Sequence, residues 1–437
     1  MPTIDFTHDP ATRSWVESAQ GHPDFPVQNL PLGMFSSHGG KPCPGIAIGD
    51  KILDLRAVAP LLPADAAALL DLVTDDTLNA LLGAGEGALR TLRHGVFALL
   101  TDTAQAEEVR PHLHAAVDCT MHMPVAVGDY TDFYSGIHHA LNIGKQFRPD
   151  NPLLPNYKHV PIGYHGRSSS IRVSGEDVIR PVGQQKPEQD GGEPRFGPAA
   201  RLDYEMEMAI WVGKGNALGH PVPIGEASQH IAGMSILNDW SARDLQAWEY
   251  QPLGPFLAKN FHSTVSPWIV TGDALAPFRM AQPDRPAGDP KPLPYLWDDE
   301  DQQTGAFAIT MEVHLHTTRM RDAGDPPVRL SKGPMSAMYW TAAQLLAHHS
   351  VNGCNLRPGD LLGTGTLSDA EDATRGSLME ISEGGKHPLA LPNGETRSFL
   401  KDGDEIIMTA YGDKAGAVRI GFGACRAIVR PAPAIGK

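Results

Sequence analysis

No two cysteines stand in a Cys-x-x-Cys pair: Cys43, Cys119, Cys354 and Cys425 lie far apart, which argues against both a structural zinc site and a disulfide scaffold. They are expected as reduced, mostly buried thiols. No run of about 18 consecutive apolar residues occurs, so no membrane-spanning helix is expected. The opening ten residues have no basic stretch followed by an apolar one, and the expected location is the cytoplasm. Basic residues are outnumbered, Lys+Arg 36 against Asp+Glu 51, and a net charge of −15 gives a phosphate backbone nothing to grip. That argues against nucleic acid as a partner. Three common enzyme plans are also missing. There is no Gly-x-Ser-x-Gly and no His-Glu-x-x-His, and Gly213-Lys-Gly-Asn-Ala-Leu-Gly219 is too loosely spaced for a dinucleotide loop.

What is present is a soluble-protein composition on a long chain. The 437 residues are 41% hydrophobic and 20% charged, with no low-complexity tract or internal repeat, enough for a sizeable core in two units. Gly 45 and Pro 38 make the chain turn often, as short strands require. Gly45 to Leu55 alternates around a Gly-Asp turn in the manner of a hairpin, and two helices are expected over 66–73 and 88–100. A boundary is placed near residue 118, giving units 1–118 and 119–437. Beyond it, 204–212, 307–315 and 405–411 are strand-like and 338–349 helical. The Pro/Gly-rich stretches 180–200 and 276–294 are expected as surface loops.

The densest store of reactive groups is Gly128-Asp-Tyr-Thr-Asp-Phe-Tyr-Ser-Gly-Ile-His-His-Ala140. A carboxylate there can hold a hard cation and a histidine can take a proton from nearby water, although a polar turn has the same composition. On chemistry alone Asp129 and Asp132 are equally eligible, as are His138 and His139. Glu205 and Glu207 lie two apart in a strand and leave one face, where two buried carboxylates call for a cation and two solvated ones do not. The apolar run Ala209 to Val212 favours enclosure. Asp239, Arg243 and Gln246 share a face if a helix starts near Asp239, with an ordinary capped surface helix as the alternative. Lys259 lies in a loop able to approach that place. Arg357-Pro-Gly-Asp360 is a turn that introduces a strand, and His348 and His349 before it are expected to be structural. Gly363-Thr-Gly-Thr366 suits an anionic group or a plain turn. Glu380, an acid in an apolar segment, wants a partner such as histidine.

Together these segments resemble the fumarylacetoacetate hydrolase family over nearly the whole chain. The resemblance is strongest over 128–134, 161–167, 238–243, 248–256, 339–340, 348–362 and 376–380. It implies a mainly β (α+β) fold: a small N-terminal SH3-like β domain followed by a large C-terminal mixed β-roll, working as a homodimer. Asp132, Glu205, Glu207 and Asp239 match the family's cation-binding acids, with Lys259 and Ser263 lining the metal region. His139 matches the general base and Glu380 the acid that orients it. Tyr134, Arg148, Tyr164, Arg243, Gln246, Tyr250 and Thr366 match substrate-contacting positions. The chain departs from the family at Ser263, where Thr is frequent, and at His138, where Gln or another residue is often found.

The reaction so implied is hydrolysis of the carbon–carbon bond of 4-fumarylacetoacetate to fumarate and acetoacetate, ending tyrosine and phenylalanine breakdown. His139 would take the proton from water, while Arg243, Gln246 and Lys259 surround the developing oxyanion. All-oxygen ligation favours Ca²⁺ or Mg²⁺ over zinc. Within the enzyme class the alternative is an acylpyruvate hydrolase or 2-oxo acid decarboxylase on the same fold. A more remote alternative is a Ca²⁺-binding structural module, which leaves His139, Arg243 and Gln246 without a role.

Overall fold

Period-two alternation of apolar residues builds three principal sheets in the computed structural model, which describes residues 3–187 and 191–434. The N-terminal sheet has five strands in the spatial order Leu113–Ala115, Lys51–Asp54, Cys43–Ile48, Leu32–Ser37, Cys119–His122. Its Cys43–Ile48 and Lys51–Asp54 strands form the expected hairpin around Gly49-Asp50, with Gly49 in the left-handed region at φ 57°. Helix Glu86–Thr101 lays Leu89, Leu92, Val96 and Leu100 into this unit's core. The helix expected over 66–73 is shorter, Ala64–Leu69 followed by a single 3₁₀ turn Leu70–Leu72.

An eight-stranded sheet carries the rest. Its path runs Gly163–His165, Tyr130–Phe133, Leu361–Gly363, Met206–Val212, Ile231–Asp239, Ser263–Val265, Ile171–Val173, with Val270–Thr271 also paired to Ile231–Asp239. Strand Met206–Val212 is buried along its whole length. One face presents Met206, Met208, Ile210 and Val212 to a core shared with a five-stranded sheet that includes Ile309–His316 and Glu405–Gly412. The other presents Ala209 and Trp211 to the N-terminal unit. Trp211 is fully buried there, and its indole N–H is satisfied by Ser235 Oγ at 2.8 Å.

Several local expectations are corrected. The stretch 180–200 is not loop throughout: Val182–Gln185 pairs with Arg195–Pro198, and Leu245 of a nearby helix comes within 2.9 Å of where a Cβ on Gly183 would stand, closer than a side chain there would allow. Stretch 276–294 contains a short strand, Arg279–Met280, paired with Ala306–Phe307. Asp239 does not open a helix but ends a strand; the helix is Arg243–Glu249. The helix expected from 338 begins at Ala342, because Thr341 and Gln344 close a reciprocal capping box ahead of it. All four cysteines are free, yet only Cys425 is buried.

Candidate active site

Neighbouring strands of the eight-stranded sheet bring the acids to one place. Asp132 lies on Tyr130–Phe133, Glu207 on Met206–Val212 with Glu205 just ahead of it, and Asp239 pairs directly with Ser263. Glu205 and Glu207 continue the face that presents Ala209 and Trp211, so one side of a strand is ionic at its start and apolar beyond. Leu361–Gly363 runs between the Asp132 and Glu207 strands. One oxygen from each of Asp132, Glu205, Glu207 and Asp239 lies within 4.8 Å of all the others, and all four residues are buried.

The positive charge facing them is Lys259, whose ammonium donates to Glu205 Oε2 at 2.5 Å and Asp239 Oδ2 at 2.7 Å. Ser263 Oγ and Tyr164 Oη also donate to Asp239, at 3.1 and 3.2 Å. Burial, with the charge of Asp239 added, pushes the Asp132 carboxyl up to about 8. Burial and the Asp132 charge likewise raise Glu207 well above the carboxylate range, and burial raises Asp239 against the pull of Lys259. Glu205 goes the other way: burial is outweighed by Lys259 and Arg243, which hold it down. Asp132 Oδ1 and Glu207 Oε1 are buried with no hydrogen-bond partner among the described residues. Unpartnered oxygens on carboxyls that resist ionisation are what a divalent cation resolves, and an all-oxygen set fits Ca²⁺ or Mg²⁺.

His139 sits on helix Ile137–Phe147 with its Nδ1 2.7 Å from Glu380 Oε2. Glu380 also accepts from Asn142 Nδ2 at 3.0 Å, Ser368 Oγ at 3.1 Å and Ser377 Oγ at 2.9 Å. Burial opposes its ionisation, but His139 and these donors lower its pKa on balance, so it stays an acceptor. In a neutral imidazole that pairing puts the proton on Nδ1 and the lone pair on Nε2, which lies 4.0 Å from Glu205 Oε1. His138 instead lies 3.6 Å from Asp369, and Asp129 pairs with Arg357 at 2.7 Å on the surface.

Beside these groups opens a cavity of about 520 Å³. Tyr134, Arg148, Tyr164, Tyr250 and Thr366 line it, together with Arg243, Gln246 and Lys259. Arg243 Nη1 is 2.7 Å from Glu205 Oε1 and donates to Gln246 Oε1 at 3.2 Å. Asp239 nevertheless joins Arg243 and Gln246 in one site, through the turn of the chain after its strand. Thr366 Oγ1 and Arg148 Nε are buried without a partner among the described residues. The mouth is apolar, with Leu154 and Leu253 exposed.

Sequence reasoning missed Asn142, Ser368, Ser377 and Asp203, and took Gly363 only as part of a Gly-Thr-Gly-Thr turn. Asn142 stands three residues after His139, one helical turn along the same face, and was the most findable of them. Asp203 continues the 205–207 spacing backwards, and Ser377-Leu-Met-Glu380 has the Ser-x-x-Glu spacing of a helix start; Ser368 carries no local signal.

A family model described as Fumarylacetoacetate (FAA) hydrolase C-terminal matches residues 130–430, and one described as Fumarylacetoacetase N-terminal matches residues 28–124. The chain is similar to the fumarylacetoacetase of Homo sapiens, 48% identical over 94% of this chain and 97% of that one. It is similar to the fumarylacetoacetase of Arabidopsis thaliana at 44%, over 94% of this chain and 96% of that one. Among solved structures, a fumarylacetoacetate hydrolase from psychrophilic Exiguobacterium antarcticum has a TM-score of 0.50 at 17% identity, covering 92% of this chain and 99% of that one. At that identity the likeness concerns fold alone.

Proposed function

The chain belongs to the fumarylacetoacetate hydrolase family, and from that premise we propose that it is the hydrolase that splits 4-fumarylacetoacetate into fumarate and acetoacetate, the last step of tyrosine and phenylalanine breakdown. The observation that carries the chemistry is the His139–Glu380 pair beside the cavity, with Nε2 4.0 Å from Glu205 Oε1.

In this reading His139 Nε2 removes a proton from water as the oxygen adds to the ketone carbon. The carbon–carbon electron pair then leaves with the acetoacetate fragment as its enolate. The proton held by His139 returns to that fragment, so water is divided between the two products. Such base catalysis is worth roughly 10²–10⁴-fold. Arg243, Gln246 and Lys259 stabilise the charge that develops on oxygen, where one lost donor costs about 2.7–4 kcal/mol. Tyr134, Arg148, Tyr164, Tyr250 and Thr366 hold the substrate and its carboxylates. Asp132, Glu205, Glu207 and Asp239 would hold Ca²⁺ or Mg²⁺, with Lys259 and Ser263 at the rim of the set. A cation held there would supply Lewis-acid stabilisation of developing negative charge. The same reading includes a homodimer in the cytoplasm, and units 1–118 and 119–437, SH3-like and β-roll.

The test follows loss of the substrate's diketone absorbance with wild type and His139→Ala, each with and without chelator. Turnover should need both the histidine and the cation. A fully active His139→Ala removes the base assignment, and chelator-insensitive turnover removes the cation.

A further inference from the structure

Asp203 is fully buried, and nothing in the proposed chemistry uses it. Its carboxylate is nevertheless engaged on both oxygens. Oδ2 accepts from Arg243 Nε at 2.9 Å, lies 2.9 Å from Arg243 Nη2, and accepts the Met379 amide at 3.0 Å. Oδ1 accepts the amides of Leu378 at 2.8 Å and Tyr204 at 2.9 Å. The Leu378–Met379 amides directly precede Glu380, the carboxylate that holds His139 Nδ1. The same chain segment leads through Tyr204 into Glu205.

From this juxtaposition we infer that Asp203 is a positioning residue joining the two halves of the catalytic apparatus. One oxygen fixes the guanidinium on the oxyanion side, and both oxygens fix the backbone that sets the base's orienting acid. The inference rests on the hydrolase reading above.

Held from Asp203 through Nε, Arg243 keeps Nη1 turned to Glu205, Gln246 and the cavity. Without that hold, the guanidinium is free to turn its whole fork onto Glu205, its nearest remaining carboxylate. The bidentate geometry of guanidinium and carboxylate favours that turn. The donor would then leave the position where charge develops. On the other side, loss of the hydrogen bonds from two backbone N–H groups loosens the four-residue helix Leu378–Ile381 that carries Glu380. A displacement of about 1 Å at a catalytic group can cost about 10²-fold in rate. A carboxylate that only filled space would affect folding and leave the chemistry of folded molecules alone.

The test is steady-state kinetics and Tm for wild type, D203N, D203E, R243K and D203N/R243K. D203N should lower kcat by about 100-fold, with KM within about threefold of wild type. The double variant should lose clearly less than the product of the two single losses, because both act on one guanidinium. Should D203N fail to fold, D203E decides: it keeps the charge but displaces it by one methylene, and should lower kcat about 10-fold at unchanged KM. Wild-type kcat in a folded variant, losses that track only the folded fraction, or losses that multiply in full would each overturn the inference. A wild type without turnover sinks the hydrolase reading as well; a wild type that turns over beside an equally fast D203N sinks this inference alone.

Discussion

A methyl group at position 363 would stand 2.8 Å from Asp132 Oδ1 and 3.1 Å from Glu207 Oε2. The backbone there is ordinary strand, so what glycine provides is room for two carboxylates to meet across an intervening strand. Gly363→Ala should therefore weaken Ca²⁺ or Mg²⁺ binding by at least about tenfold, measured calorimetrically, because each lost tenfold needs only about 1.4 kcal/mol of strain. Unchanged affinity would mean the acids do not converge on a cation. Asp301 makes a prediction of a different kind. Burial pushes its carboxyl from 3.8 up to about 6, even though Thr341 Oγ1 donates to it at 2.8 Å. The folded state thus holds this proton more tightly than the unfolded chain. The linked stability is fully present below about pH 4 and is lost as pH rises through about 6. Thermal unfolding of Asp301→Asn across that window should lack this component of the wild-type decline, and parallel curves for the two proteins would contradict it.

Two capped helices separate stability from chemistry. Thr341 and Ser377 each accept a backbone amide at the start of a helix, but Ser377 also donates to Glu380 at 2.9 Å. Replacing either with alanine should cost about 0.5–2 kcal/mol in urea unfolding. Only Ser377→Ala should also lower kcat, since Thr341 lies beside Asp301, away from the cavity. Equal kcat in the two variants would show that Glu380 does not depend on its local donors. Elements also explain where sequence periodicity went astray. Asp239, Arg243 and Gln246 have helical spacing, and they do converge. They do so from a strand end and a following helix, because Ser241–Ala242 pairs with Leu202–Asp203 between them. Spacing of three and four is a local rule, and pairing with a distant segment overrode it.

Over the whole molecule, the central sheet is covered on both faces, and four buried acids remain at one of its ends. The nearby fixed positive charges are Lys259 and Arg243, and Arg243 is shared with Asp203. A cation that binds the folded state alone should therefore raise Tm. The gain is about 2.7 kcal/mol at a concentration 100 times its Kd, and chelator should reverse it. A Tm indifferent to Ca²⁺, Mg²⁺ and chelator would leave the cluster to be neutralised by protons instead.

The sequence by itself determined the strands within 204–212, 307–315 and 405–411, the pairing of acids at 205 and 207, the Gly49-Asp50 hairpin and the need of Glu380 for a partner, since each follows from periodicity or from the cost of burying charge within a few residues. It also marked both histidines at 138 and 139 and both acids at 129 and 132, and residue chemistry alone left those pairs open. Tertiary structure decided between them. His139 meets Glu380 and lies by the cavity, while His138 lies by Asp369; Asp132 lies among three other carboxylates, while Asp129 meets Arg357 at the surface. The physical reason is that a proton's place and a carboxylate's charge are set by what lies within about 4–6 Å in space. In this fold, those neighbours arrive from strands and turns far apart along the chain.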